Sequence, residues 1–268
     1  MFKSACIETL FTELPWCERF KAAKEAGFDY IEFWGWEDKD LDEIIKLAKE
    51  ADIKIAGFNG DSIYSLVDPS HEEPYMDYLK KSIEVAKKIG SESLTIHSNG
   101  LGDGGIVINH YDELSYTVKL CSMFKMLEKS AKLAEEEDIL LNLEGLNITT
   151  DHVGNFLETT QMAAEMIRLI DSPKLKILYD VYHMQLNEGR ICDTLTKYVD
   201  TIGHIHVADA PGRHEPGTGE INYFNVIKHL KELGYKEKVG FELFPKNSTD
   251  EAVEKIMEIF DENLVKAL

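Results

Sequence analysis

Positive charge is scarce in this sequence. Against 49 Asp and Glu stand only 29 Lys and Arg, which leaves a formal net charge of −20 over 268 residues. A polyanion of this size repels phosphate backbones and anionic lipid headgroups at moderate salt, so neither nucleic acid nor a membrane is expected as a partner. Cysteine is sparse too: Cys6, Cys17, Cys121 and Cys192 show no CxxC and no paired spacing. A chain this long has no need of covalent staples, so they are expected as core or free thiols in a reducing compartment. No stretch approaches the ~18 uninterrupted apolar residues of a membrane-spanning helix, and the opening "MFKSACIETLF" has no cleavable signal pattern, which makes a cytoplasmic location the expectation. No linker, low-complexity tract or composition shift divides the chain, so a single domain over residues 1–268 is expected. Nor does a GxGxxG follow the first strand-like run, which leaves a dinucleotide-binding open sheet without support.

What is present is a repeat. Short apolar runs alternate with longer stretches of helical period. The strand-like runs are Ser4 to Leu10, Phe28 to Trp34, Ile53 to Asn59, Ser93 to Ser98, Ile139 to Gly145, Leu175 to Val181, Ile202 to Ala208 and Val239 to Pro245. Between them lie amphipathic segments such as "LDEIIKLAKEA", "YMDYLKKSIEVAKKIG" and "YFNVIKHLKELG", and Gly27, Gly90 and Gly234 stand where left-handed C-caps are needed. Eight strand-then-helix units predict an α/β fold, a single (β/α)8 barrel, whose parallel strands are apolar on both faces.

In such a barrel the chemistry sits at the C-terminal ends of the strands. Read at those positions, strands five to eight offer Glu144 in "LLNLEGLN", Asp180 in "ILYDVYH", His206 in "HIHVAD" and Glu242 in "GFELFP". Each is an isolated ionisable residue closing an apolar run, and they follow one another at 36, 26 and 36 positions, the spacing of the repeat. Any one of them could serve as a strand cap or a buried ion pair. Four at equivalent positions need a shared cation, because clustered carboxylates repel in a low-dielectric cup and the strand ends supply few cations. Two Glu, one Asp and one His form a mixed O/N set suited to one divalent ion, Mg²⁺, Mn²⁺, Co²⁺ or Zn²⁺, and the lack of Cys argues against structural zinc. His183 and Arg213 are candidate holders of substrate oxygen atoms, Arg213 best toward a carboxylate. His97, at the end of strand four, is either a wall residue or a participant. Trp34, Trp36 and Phe58 are candidates for an apolar wall, and Glu8 and Glu32 for salt bridges. The loop "HIHVADAPGRHEPGTGEINY", His204 to Tyr223, packs three Gly, two Pro, an Arg and two Glu behind one strand end, the composition of a shaped cover over a reacting group.

With "LEGLN", "YDVYHMQ" and "FELFP", this loop resembles the hydroxypyruvate isomerase family within the xylose isomerase-like (sugar phosphate isomerase/epimerase) barrel superfamily, over essentially the whole chain. The run "FWGWED", with two Trp, is richer in aromatics than that pattern. The resemblance implies Glu144, Asp180, His206 and Glu242 as metal ligands, Glu144 and Glu242 as the catalytic acid–base pair, and His183, Arg213, His97 and Trp34 around the substrate. It further implies a small hydroxy-oxo acid, hydroxypyruvate or a 2-oxo-tetronate, isomerised through an enediolate, and an assembly of two or four copies. Three alternatives are carried forward. A ketose 3-epimerase uses the same residues on a free sugar; an apurinic endonuclease needs more His and a cationic groove; a non-catalytic sugar or acid sensor shows no turnover.

Overall fold

The structure, a computed structural model, describes residues 1–261. Eight strands form a closed parallel barrel in chain order: β1 (Phe2–Cys6), β2 (Tyr30–Phe33), β3 (Lys54–Asn59), β4 (Ser91–His97), β5 (Leu140–Glu144), β6 (Leu175–Asp180), β7 (Ile202–His206) and β8 (Lys238–Phe241). Closure comes from β1 pairing with β8, Ser4 opposite Gly240. The helices are α1 (Trp16–Glu25), α2 (Leu41–Ala51), α3 (Glu72–Ile89), α4 (Tyr116–Glu137), α5 (Thr160–Ile170), α6 (Val181–Asn187), α7 (Ile191–Tyr198), α8 (Tyr223–Glu232) and α9 (Thr249–Glu258). The (β/α)8 expectation is met, and no helix among the described residues is long and apolar enough to cross a membrane.

Local chemistry explains the boundaries. Helix α2 starts where Asp40 accepts the backbone N–H of Asp42 and Glu43, filling donors that the first turn leaves open. Helix α3 stops at Gly90, whose φ of 74° is the left-handed cap. The helices dock through single apolar stripes, with Phe20, Ile44, Leu79, Leu127, Leu195, Ile227 and Ile256 all buried in one core. Each such side chain contributes about 1.5–3 kcal/mol of transfer free energy. The four cysteines are free thiols, Cys6 buried and Cys17 and Cys121 exposed.

Two strands differ most from the sequence reading, each ending four residues early. Strand β1 ends at Cys6 instead of Leu10, because the N–H groups of Thr9 and Leu10 turn back onto the Cys6 carbonyl. Ile7 and Leu10 remain buried, so their apolar character reports burial in a loop. Strand β8 ends at Phe241; beyond it, the Phe244 N–H donates to the Arg213 carbonyl. Glu242 therefore sits one residue past its strand, tied to the His204 to Tyr223 loop.

Candidate active site

All four strand-end residues lie at one mouth of the barrel. Asp180 closes β6 and caps α6: its Oδ1 accepts from Tyr182 N at 2.8 Å and His183 N at 3.4 Å. That leaves Oδ2 buried with no hydrogen-bond partner. Glu144, at the end of β5, accepts from or shares a proton with His97 Nε2 through Oε2 at 3.2 Å, and its Oε1 is likewise buried and unpartnered. His206, closing β7, has Nε2 3.4 Å from Glu32 Oε1 and Nδ1 3.8 Å from Glu242 Oε2. Glu242 is held on both oxygens, Oε1 by the Trp34 indole N–H and Oε2 by Arg213.

The polar atoms fall into overlapping groups. Ligand atoms of Asp180, His206 and Glu242 lie within 4.8 Å of one another, as do those of Glu144, Asp180 and His183, so Asp180 joins the two sets. Glu144 Oε1, Asp180 Oδ2 and His206 Nδ1 are all buried without a hydrogen-bond partner. Buried polar atoms are normally satisfied, so orphans on Glu144 and Asp180 in one set, and on Asp180 and His206 in the other, fit a cation that these oxygens and one nitrogen would hold.

Electrostatics separates the groups. Burial drives the Asp180 carboxyl up to about 7, helped by Glu144 and opposed by Arg213. Burial also works against Glu144, but the His97 hydrogen bond and the charges of His206 and Arg213 outweigh it and hold that carboxyl below the ordinary range. His206 loses by burial and gains more from Glu32, rising to about 10. Burial and the Arg213 charge push His183 the other way, well below an ordinary imidazole. Two environments drive buried groups of one type apart, the pattern expected where acid and base roles are divided.

Several supporting residues escape sequence reading. Asp61, in the loop after β3, accepts from the His97 backbone N–H and lies 3.0 Å from His97 Nδ1. With Asp61 on one side and Glu144 on the other, His97 overcomes burial and rises to about 10. A charged His97 contributes stability that is complete below its unfolded pKa of about 6.5 and is lost as pH rises through the folded value. In chelator-treated protein, the urea-midpoint gap between wild type and His97→Gln is therefore expected to be widest near pH ~6 and to narrow toward pH ~10. A gap independent of pH would mean that His97 carries no charge there.

Asp209 organises the loop after β7: Oδ1 accepts from Ala210 N and Ile221 N, Oδ2 from Gly217 N and Gly219 N, at 2.8 to 3.0 Å. This fixed inner knot needs glycine at Gly219, where a Cβ would meet the Ala210 carbonyl oxygen at 2.2 Å. The loop is thus a braced frame that delivers Arg213. Arg213 itself has φ of 56°, and its guanidinium stands 5.5 Å over the Tyr182 ring.

The three aromatics expected as one wall separate. Trp34 is 39% exposed beside Glu242. Trp36 turns away to donate to Ser82 Oγ on α3, and Phe58 stacks on Phe33 in the core. Of the two acids expected in salt bridges, Glu32 lies 3.0 Å from His204 Nε2, and Glu8 pairs with Lys39 at 2.9 Å.

The profile of the xylose isomerase-like TIM barrel matches residues 20–262. The chain belongs to the xylose isomerase-like TIM-barrel family. Hydroxypyruvate isomerase of Escherichia coli (strain K12) is 30% identical, over 92% of this chain and 95% of its own. The 2-oxo-tetronate isomerase of Pectobacterium atrosepticum is 27% identical, over 93% and 94%. Among solved structures, AP endonuclease, family 2, from Brucella melitensis superposes with a TM-score of 0.84 at 25% identity, covering 94% of this chain and 97% of that one. Within the xylose isomerase-like family, the two isomerase relatives support an isomerase.

Proposed function

We propose that the protein is a divalent-metal-dependent isomerase of a small hydroxy-oxo acid of the hydroxypyruvate or 2-oxo-tetronate class. The observation that carries this reading is the buried, unpartnered Glu144 Oε1, Asp180 Oδ2 and His206 Nδ1, in two ligand sets that share Asp180, beside a Glu242 braced by Trp34 and Arg213. Glu144, Asp180, His206 and Glu242 are the residues that would hold the ion. When bound, a divalent ion supplies Lewis-acid stabilisation of the negative charge that an α-hydroxy carbonyl develops as it loses a proton.

The rest is the work of side chains. Glu242 and Glu144 come from different strand ends and are assigned to the two faces of the planar enediolate, one removing the α-proton and the other, or the same one, returning it at the neighbouring carbon. Arg213 keeps its Nε buried with no hydrogen-bond partner, a donor left for a substrate carboxylate and a reason to prefer an oxo acid over a neutral ketose. Burial of Glu144, Asp180 and His206 limits the water that would quench the intermediate. The net charge of −20 opposes a polyanionic nucleic-acid substrate.

The test is proton NMR in D₂O on full-length protein supplied with a divalent ion, offering hydroxypyruvate, a 2-oxo-tetronate and free ketoses. Deuterium entry beside the carbonyl of an oxo acid with conversion to its isomer, both abolished by chelator, is the expected outcome. Exchange or C3 inversion confined to ketoses would move the protein to the 3-epimerase reading.

A further inference from the structure

We propose that Asn147 sets the tautomer of His183, so that this histidine presents an N–H, and no lone pair, to whatever binds at the barrel mouth. Asn147 lies in the loop after β5. Its Oδ1 accepts the backbone N–H groups of Thr150 and Asp151, both at 3.0 Å. These contacts decide which end of the amide is oxygen. Flipping it would set an NH₂ group against two N–H donors and a carbonyl oxygen against the Asp151 carboxylate. The Asn147 Nδ2 therefore donates, to Asp151 Oδ2 at 2.7 Å and to His183 Nδ1 at 2.8 Å. Tyr182 OH donates to the same Asp151 oxygen at 2.9 Å and braces the relay from the other side.

An imidazole nitrogen that accepts is the unprotonated one, so the proton of a neutral His183 resides on Nε2. His183 is fully buried, and an Nδ1 that accepts from the Asn147 amide is compatible only with the neutral ring. Its Nε2 has no hydrogen-bond partner and stands 3.4 Å from Asp180 Oδ2 and 4.0 Å from Glu144 Oε1.

This removes a ligand that distance alone would allow. Glu144, Asp180 and His183 lie close enough to hold an ion, but a protonated Nε2 has no lone pair to give. His206 is held differently, with Nε2 toward Glu32 and Nδ1 unpartnered. One histidine is left as a candidate ligand and the other as a hydrogen-bond donor, according to what holds the far nitrogen. That the His183 N–H reaches a substrate oxygen rests on the isomerase reading; the tautomer does not. Asn147 is a positioning residue, acting through His183.

The experiment is long-range ¹H–¹⁵N correlation NMR on full-length protein with ¹⁵N-labelled histidine rings, chelator-treated and then with Mg²⁺ or Zn²⁺, His183 being assigned by its loss in His183→Gln. The expected spectrum has a pyridine-type Nδ1 and a pyrrole-type Nε2 for His183 in both states. A pyrrole-type Nδ1, or an Nε2 that loses its proton when the ion is added, overturns the proposal. The paired change Asn147→Asp with Asp151→Asn exchanges donor and acceptor around Nδ1 at constant charge. It is expected to turn Nδ1 from pyridine-type to pyrrole-type; an Nδ1 that stays pyridine-type in the folded variant would show that Asn147 does not set it. An inverted tautomer with unchanged kcat overturns the donor role. If the paired variant does not fold, the wild-type spectrum decides alone. A wild type with the expected tautomer and no turnover on any oxo acid or ketose upholds the tautomer and sinks the isomerase reading.

Discussion

Glu242→Gln is expected to slow substrate C–H exchange by roughly 10³-fold, about 4 kcal/mol of barrier, with the fold intact. Gln has nearly the same shape and keeps one oxygen to accept from Arg213, but its NH₂ then faces the Trp34 N–H, so that one contact is lost while the fold is kept. What it loses is the ability to take a proton, and a positioned base is typically worth 10²- to 10⁴-fold. Because Glu242 is also a proposed ion ligand, the rate is to be measured at saturating divalent ion, with affinity determined separately by calorimetry. A loss under about tenfold at saturation would remove Glu242 from proton transfer and leave Glu144 to act as the single base.

Gly240→Ala is expected to destabilise the protein by about 3 kcal/mol, at the upper end for overpacking a full interior. A Cβ at this position would stand 2.2 Å from Glu32 Oε1, 2.7 Å from His204 Nε2 and 2.8 Å from His206 Cδ2. None of these atoms is the free end of an exposed chain. All three residues are buried, and Glu32 pairs with both imidazoles. Relief of the clash therefore has to move His206, so weaker divalent-ion binding should accompany the lower denaturation midpoint. Gly35→Ala is the control, because a Cβ there meets nothing within 4 Å; its midpoint should shift by under about 0.5 kcal/mol. Equal effects of the two substitutions would show that the space above Gly240 is not structurally required.

These expectations draw unequally on sequence and structure. The barrel is legible in the chain because parallel strands buried on both faces read as short apolar runs and their crossover helices as amphipathic ones. The strand ends are legible for the same reason: an ionisable residue closing such a run, as Glu144, Asp180 and His206 do, stands out against its neighbours. Strand limits were less so, since Ile7, Leu10 and Leu243 are as buried in loops as residues are in strands.

By itself, then, the sequence determined the (β/α)8 architecture, the polyanionic surface and which ionisable groups meet at one mouth, because all three follow from period and composition along the chain. Only the tertiary structure decided how those groups are used. Asp61 reaches His97 across 36 residues, Asn147 reaches His183 across 36, and Trp34 reaches Glu242 across 208. Such contacts depend on the register of the closed sheet and on the loops that leave it, and no pattern along the chain encodes which nitrogen of a histidine a distant amide will hold.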